Sequence, residues 1–172
     1  LYQRLRCLIH HEMSLIAYHL PLDLHPELGN NKCFGDLMGF EKTLTFTLAG
    51  VADLGWMGKC SDPMSGQELS DKIEKVLGRV PFHVSIDSEI HTVAWCTGAA
   101  QDGIIEAARQ GADAFITGEV SERTVHMARE LGLHFFAAGH HATERYGIKA
   151  LGEYVSKQYN IDVEFIDIDN PV

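Results

Sequence analysis

Apolar residues recur along this chain in two rhythms, one helical and one extended. Leu1, Leu5, Leu8 and Ile9 share a helical face, and the pattern is entered midway. It predicts a helix over residues 1–12 and a further segment upstream. Ser14 to Leu20 is a compact apolar run that predicts a short buried strand. Pro21 is expected to end it, because proline donates no ladder hydrogen bond. Pro26, Gly29, Asn30 and Asn31 punctuate a loop, and Asn30 or Asn31 is placed to cap a short helix reaching about Gly39. Leu44, Phe46 and Leu48 alternate with threonines, the mark of a half-buried strand. Residues 50–59 carry three glycines and read as a loop or hairpin. Ser65 and Glu68 match a capping box, opening a helix with Leu69, Ile73, Val76 and Leu77 inward and a stop at Gly78.

Pro81 to Ile86 and His91 to Cys96 predict strands. From residue 91 the expected order is β-α-β-α-β-α-β. Its helices cover Asp102–Gln110, Ser121–Leu131 and a long stretch ending near Tyr159; its later strands cover Asp113–Thr117, Leu133–Ala138 and Val163–Ile168. Short apolar strands alternating with helices imply an α/β fold with a parallel-rich sheet flanked by helices. In such sheets functional loops gather at the carboxyl ends of strands. Thr97-Gly98, Gly118-Glu119 and Gly139-His140 are three such ends.

Composition narrows the function. The chain has 172 residues and a net charge of −10, which disfavours binding nucleic acid through its phosphates. Four cysteines, Cys7, Cys33, Cys60 and Cys96, form no C-x-x-C pair and are the scattered thiols expected in the cytoplasm. No apolar run is long enough to span a bilayer. Ten histidines, several beside acids, direct attention to metal chemistry.

The stretch Ala137–Arg145 (A-A-G-H-H-A-T-E-R) concentrates that chemistry. Gly139 allows a sharp turn from strand to helix, and His140 and Glu144 then project from one helical face. Such a pair suits a divalent metal; it is also what an exposed i,i+4 contact looks like. Asp23, between His19 and His25, is a ligand candidate or a turn residue bonding its own backbone. His10 and His11 point about a third of a turn apart and read as a solvent-facing helix end. His25, His83, His91, His126 and His134 read as structural. No nucleophile elbow and no G-x-G-x-x-G fingerprint is present.

Longer motifs carry a resemblance. Tyr18–Asn31 (Y-H-L-P-L-D-L-H-P-E-L-G-N-N), Val93–Gly98 (V-A-W-C-T-G), Asp113–Glu122 (D-A-F-I-T-G-E-V-S-E), Ala137–Arg145, Phe165–Ile168 and the Asn170-Pro171 end resemble the Nif-three-like dinuclear-metal proteins, also called GTP cyclohydrolase 1 type 2 homologues. Within them the chain looks most similar to short enterobacterial-type members. The resemblance implies two linked α/β domains, residues 1–40 being the remnant of the first and residues 41–172 the second. It implies two divalent metal ions per complete subunit, Fe, Mn or Zn, with Asp23, His140 and Glu144 matching family ligands by position. It also implies a homo-oligomer, a hexameric ring, acting on a small molecule. The family's upstream H-H-G motif is absent here, and Arg123 stands where many members carry a histidine after the acid of their T-G-D/E motif. The function expected on this basis is a metal-dependent hydrolase. The alternative is a non-catalytic metal-handling or ring-forming interaction protein.

Overall fold

The computed structural model describes residues 1–172. Helix α1 spans Tyr2–His10, as its amphipathic pattern predicts, yet buries no residue. The expected strand at 14–20 does not form: residues 13–18 have no regular structure and lie exposed. Leu20–Asp23 instead makes a single helical turn, α2, with Pro21 in its first turn. Proline suits that place, since its fixed φ is helical and a first-turn N–H has no intrahelical partner to lose. Residues 14–20 also have no neighbouring strand to satisfy their backbone groups, which an extended run requires. Helix α3 covers Asn30–Met38 between Gly29, the N-cap, and Gly39 in the left-handed region. The cap is therefore the extended Gly29 rather than either asparagine, whose side chains are used elsewhere.

Strand β1 (Glu41–Leu48) and strand β2 (Val51–Met64) form an antiparallel hairpin. Ala49 and Gly50 at its tip both take positive φ, the backbone that matches strand twist in a two-residue turn. The glycine-punctuated stretch at 50–59 is thus mostly strand. Helix α4 (Gly66–Leu77) opens with the Ser65/Glu68 capping box and ends at Gly78. Strand β3 (Phe82–Val84), strand β4 (Ile90–Trp95), a 3-10 turn (Gln101–Gly103) and helix α5 (Ile104–Arg109) follow. Then come strand β5 (Ala114–Thr117), helix α6 (Glu122–Leu131), strand β6 (His134–Ala137) and helix α7 (His140–Tyr159).

The six strands make one sheet in the order β1-β2-β4-β5-β6-β3. β4, β5 and β6 run parallel, and the other pairings are antiparallel. Alternation along the parallel strands sorts side chains to two faces. Val93, Trp95, Ile116 and Phe136 pack under α3, α4 and α7 with Phe34, Leu69, Ile73 and Ala142. Ala94, Phe115 and Phe135 pack under α5 and α6 with Ile104, Ala107 and Ala128. The α/β fold flanked by helices stands as the sequence predicts.

The closing strand expected at 163–168 is absent: residues 160–172 are exposed and have no regular structure. Its place is taken. β3 pairs antiparallel with β6 through Phe82↔Ala137, His83↔Phe136 and Val84↔Phe135, so the edge a further parallel strand would join is already occupied. No helix is long and apolar enough to cross a membrane.

Candidate metal centre

Parallel β4, β5 and β6 bring their carboxyl ends side by side, and each end contributes to one locus. At the end of β6, Gly139 (φ 98°) turns the chain into α7, so His140 and Glu144 stand one turn apart on that helix. At the end of β5, Glu119 places Oε1 2.7 Å from His140 Nδ1. At the end of β4, Gly98 has φ 75° and lies against Glu144; a Cβ there would overlap Glu144 Oε1. Thr143 fastens the assembly, since the Gly98 N–H donates to its hydroxyl (3.1 Å) and that hydroxyl donates to Gly139 O (2.9 Å).

His140 is held on both ring nitrogens. Nδ1 faces Glu119, and Nε2 lies 3.2 Å from Glu144 Oε2. A neutral imidazole donating Nδ1–H to Glu119 keeps a lone pair on Nε2. Two lone pairs then face each other across 3.2 Å unless a proton or another cation lies between them. The protonation equilibria agree. Burial works against a charged His140, but the Glu119 hydrogen bond and the charges of Glu144 and Glu119 outweigh it and raise its pKa. The Glu144 carboxyl is raised by burial, lowered by His140, raised again by Asp23 and lowered by His19.

Asp23 reaches this locus from α2. It is 6 % exposed, and Asn30 Nδ2 donates to its Oδ1 at 2.7 Å. Asn30 Oδ1 in turn accepts the Gly147 N–H of α7 at 2.9 Å. Only glycine permits that approach, because a Cβ at 147 would overlap Asn30 Oδ1. Asn31 ties the same helix to β4. Its Oδ1 accepts the Thr97 N–H (2.9 Å), its Nδ2 donates to Leu54 O (3.0 Å), and its carbonyl accepts Trp95 Nε1–H (2.9 Å). The charge of Asp23 is felt at Glu144 and at Cys96, whose buried thiol is pushed up to about 12, first by burial and then by Asp23.

Of the three residues marked in the sequence, His140 and Glu144 are in contact, and Asp23 is close enough to perturb Glu144. No three His, Cys, Asp or Glu side chains are arranged to hold a metal ion as they stand. The physical reason is local: Glu144 is turned onto His140, and one Asp23 oxygen is taken by Asn30. The chemistry of the set nevertheless fits a divalent cation. Acids from α2 and α7 repel one another, an imidazole offers a lone pair, and a cation relieves the first while accepting the second. The Thr97 hydroxyl, beside Gly98, is buried without a hydrogen-bond partner, an orphaned polar atom at the same strand end. Sequence reasoning missed Glu119 as the partner of His140. The signal available was its place at the end of the strand preceding β6.

A cavity of about 470 Å³ opens beside His140 and Glu144, walled by His141, Arg145, Phe165 and Val172. A second, of about 740 Å³, reaches Glu144 from the side of Tyr18, Pro21 and Leu22.

The Duf34/NIF3 (NGG1p interacting factor 3) family matches residues 1–171. A GTP cyclohydrolase 1 type 2 homolog of Haemophilus influenzae is 52% identical over 172 residues, covering 98% of this chain and 68% of the relative. Its namesake in Vibrio cholerae is 50% identical over 174 residues, covering 99% and 68%. Among solved structures, the protein ybgI, described as of unknown function, superposes with a TM-score of 0.93 at 48% identity, covering 98% of this chain and 67% of that one. A Thermus thermophilus protein superposes at 0.83 and 29% identity, covering 99% and 67%. With the family model matching residues 1–171 and a relative 52% identical over 98% of this chain, the chain belongs to the Duf34/NIF3 family.

Proposed function

We propose that this protein is a dinuclear metal-binding, metal-dependent hydrolase acting on a small molecule. The observation that carries the reading is the convergence of an acid from α2 with an imidazole and an acid from α7, the imidazole being oriented by Glu119. Asp23, His140 and Glu144 would hold divalent ions of Fe, Mn or Zn. When bound, such ions supply Lewis-acid activation of water. Glu119 fixes the His140 ring so that Nε2 faces the site, the role an outer carboxylate plays beside a ligand histidine. Asn30 holds one Asp23 oxygen and leaves the other free. The relatives' name, GTP cyclohydrolase 1 type 2 homolog, makes GTP ring opening one reaction to examine. Four free cysteines accord with a cytoplasmic setting, and a hexameric ring is the assembly we propose.

The test is to load the whole protein with Mn, Zn or Fe and assay phosphoester hydrolysis and GTP ring opening. Turnover that Asp23→Asn and His140→Ala each abolish supports the reading; no turnover by the loaded protein sinks it. A second reading, a non-catalytic metal-handling or ring-forming interaction protein, is favoured by one observation. Leu1, Tyr2, Leu5, Ile9, Leu15 and Ile16 stand exposed in a single amino-terminal stretch. It predicts tight metal binding without turnover.

A further inference from the structure

Helix α7 carries two parallel pairs at the same spacing. His140 and Glu144 form the candidate metal pair; His141 and Arg145, one residue along, form a pair of side-chain donors beside it. Both pairs line the 470 Å³ cavity. The second pair is filled by an anion of the chain itself. Asp167, on the exposed carboxy-terminal segment, sets Oδ1 3.1 Å from His141 Nε2 and Oδ2 3.1 Å from Arg145 Nη1. A third donor in the first turn of α7, the His141 N–H, is taken by Val172 O at 3.3 Å. Those are the segment's three polar contacts with the start of α7.

The rest of the segment is loosely seated. Residues 161–172 are all exposed, Ile166 and Ile168 among them. Cavities of about 650 Å³ and 290 Å³ are partly lined by it. The smaller one is lined by Arg79 and Asp169 as well. A segment held mainly through one exposed carboxylate is held weakly, since exposed ion pairs contribute little.

We propose that His141 and Arg145 form a subsite for the phosphate of a phosphomonoester substrate, and that Asp167 occupies it as an internal stand-in until substrate displaces the segment. Phosphate fits better than carboxylate because three donors converge from one helical turn: a guanidinium, an imidazole and a backbone N–H. Asp167 has two oxygens to offer and needs Val172 O to satisfy the third. A phosphate has three. This deepens the hydrolase reading, placing a substrate's anionic end one residue along α7 from the pair that would hold metal.

The experiment uses metal-free protein in chelator, so that failure of the metal reading cannot be mistaken for failure of this one. Inorganic phosphate is titrated by calorimetry while the backbone amide NMR resonances of residues 161–172 are followed. Phosphate should bind and move those resonances towards the positions of an unstructured peptide. Asp167→Asn, an exposed change, should tighten phosphate about three- to tenfold by removing the competing carboxylate. Arg145→Gln should abolish binding. Unchanged affinity in Asp167→Asn, or unmoved resonances of residues 161–172 on saturation with phosphate, overturns the proposal. Acetate binding as well as phosphate overturns the ligand class.

Discussion

Asn30 is the residue on which the position of Asp23 depends, and its removal has a calculable cost. It is 5 % exposed and makes two buried hydrogen bonds, 2.7 Å to Asp23 Oδ1 and 2.9 Å from the Gly147 N–H. Asn30→Ala leaves that N–H without a partner, at about 1–3 kcal/mol, and strips the carboxylate of a charge-assisted bond, at about 1.5–3 kcal/mol. The sum, about 2.5–6 kcal/mol, is a large part of the 5–15 kcal/mol that holds a typical domain together. Alanine's better helix propensity offsets only a few tenths of this. Asn30→Asp separates the two bonds: it keeps an acceptor for Gly147 but sets a second carboxylate against Asp23. Its loss should therefore be larger at neutral pH than in acid, where protonation relieves the repulsion between the two carboxylates. Urea unfolding of metal-free protein measures both. A loss below about 1 kcal/mol for Asn30→Ala would refute the reasoning, because a buried N–H and a buried carboxylate cannot lose their partner so cheaply.

Three further outcomes follow from the same geometry. Glu119→Ala should weaken metal binding about 10- to 100-fold by freeing the His140 ring, while leaving the unfolding midpoint of metal-free protein nearly unchanged; calorimetric metal titration reads it. Gly98→Ala should cost about 1–3 kcal/mol for a side chain at φ 75°. The added Cβ should also push Glu144 from its place, so metal affinity should fall with stability. His83 governs the acid limb. Burial, then the charge of His134, holds its imidazole down at about 4, so its neutral form is favoured in the folded state. Its contribution is complete above about pH 6.5 and is lost as pH falls from there towards 4. Phenylalanine keeps the 4.1 Å stack on Phe136 and cannot titrate, so His83→Phe should flatten the fall in urea midpoint between pH 7 and pH 4.5.

Much of the scaffold was legible because it is written in local signals. Ser65 and Glu68 cap a helix by themselves, and Gly78 and Gly132 end helices by adopting left-handed backbone. The apolar runs at β4, β5 and β6 sit between such helices, and their carboxyl ends follow. Segments 14–20 and 163–168 were misread for one shared reason: an apolar run becomes a strand only where a neighbouring strand pairs with its backbone groups, and neither run is paired. β3 holds the edge beside β6, and the first segment has no strand beside it. At the site, His140 and Glu144 were legible from helical spacing. Asp23 was legible from its flanking histidines only as one of two readings, since its approach to α7 runs through Asn30, which sequence alone reads as a cap. The Glu119–His140 contact needs β5 and β6 to be neighbours, a fact of sheet order rather than of spacing. The His83–His134 pair is hidden for the same reason, its members lying on adjacent antiparallel strands.

The most direct test of the metal reading is anomalous diffraction from crystals of the whole protein soaked in Mn or Zn. The account predicts an anomalous peak bonded to Asp23, His140 and Glu144, with the His140 Nε2–Glu144 contact opened and the Nδ1–Glu119 hydrogen bond intact. A peak elsewhere, or none at saturating metal, would contradict it.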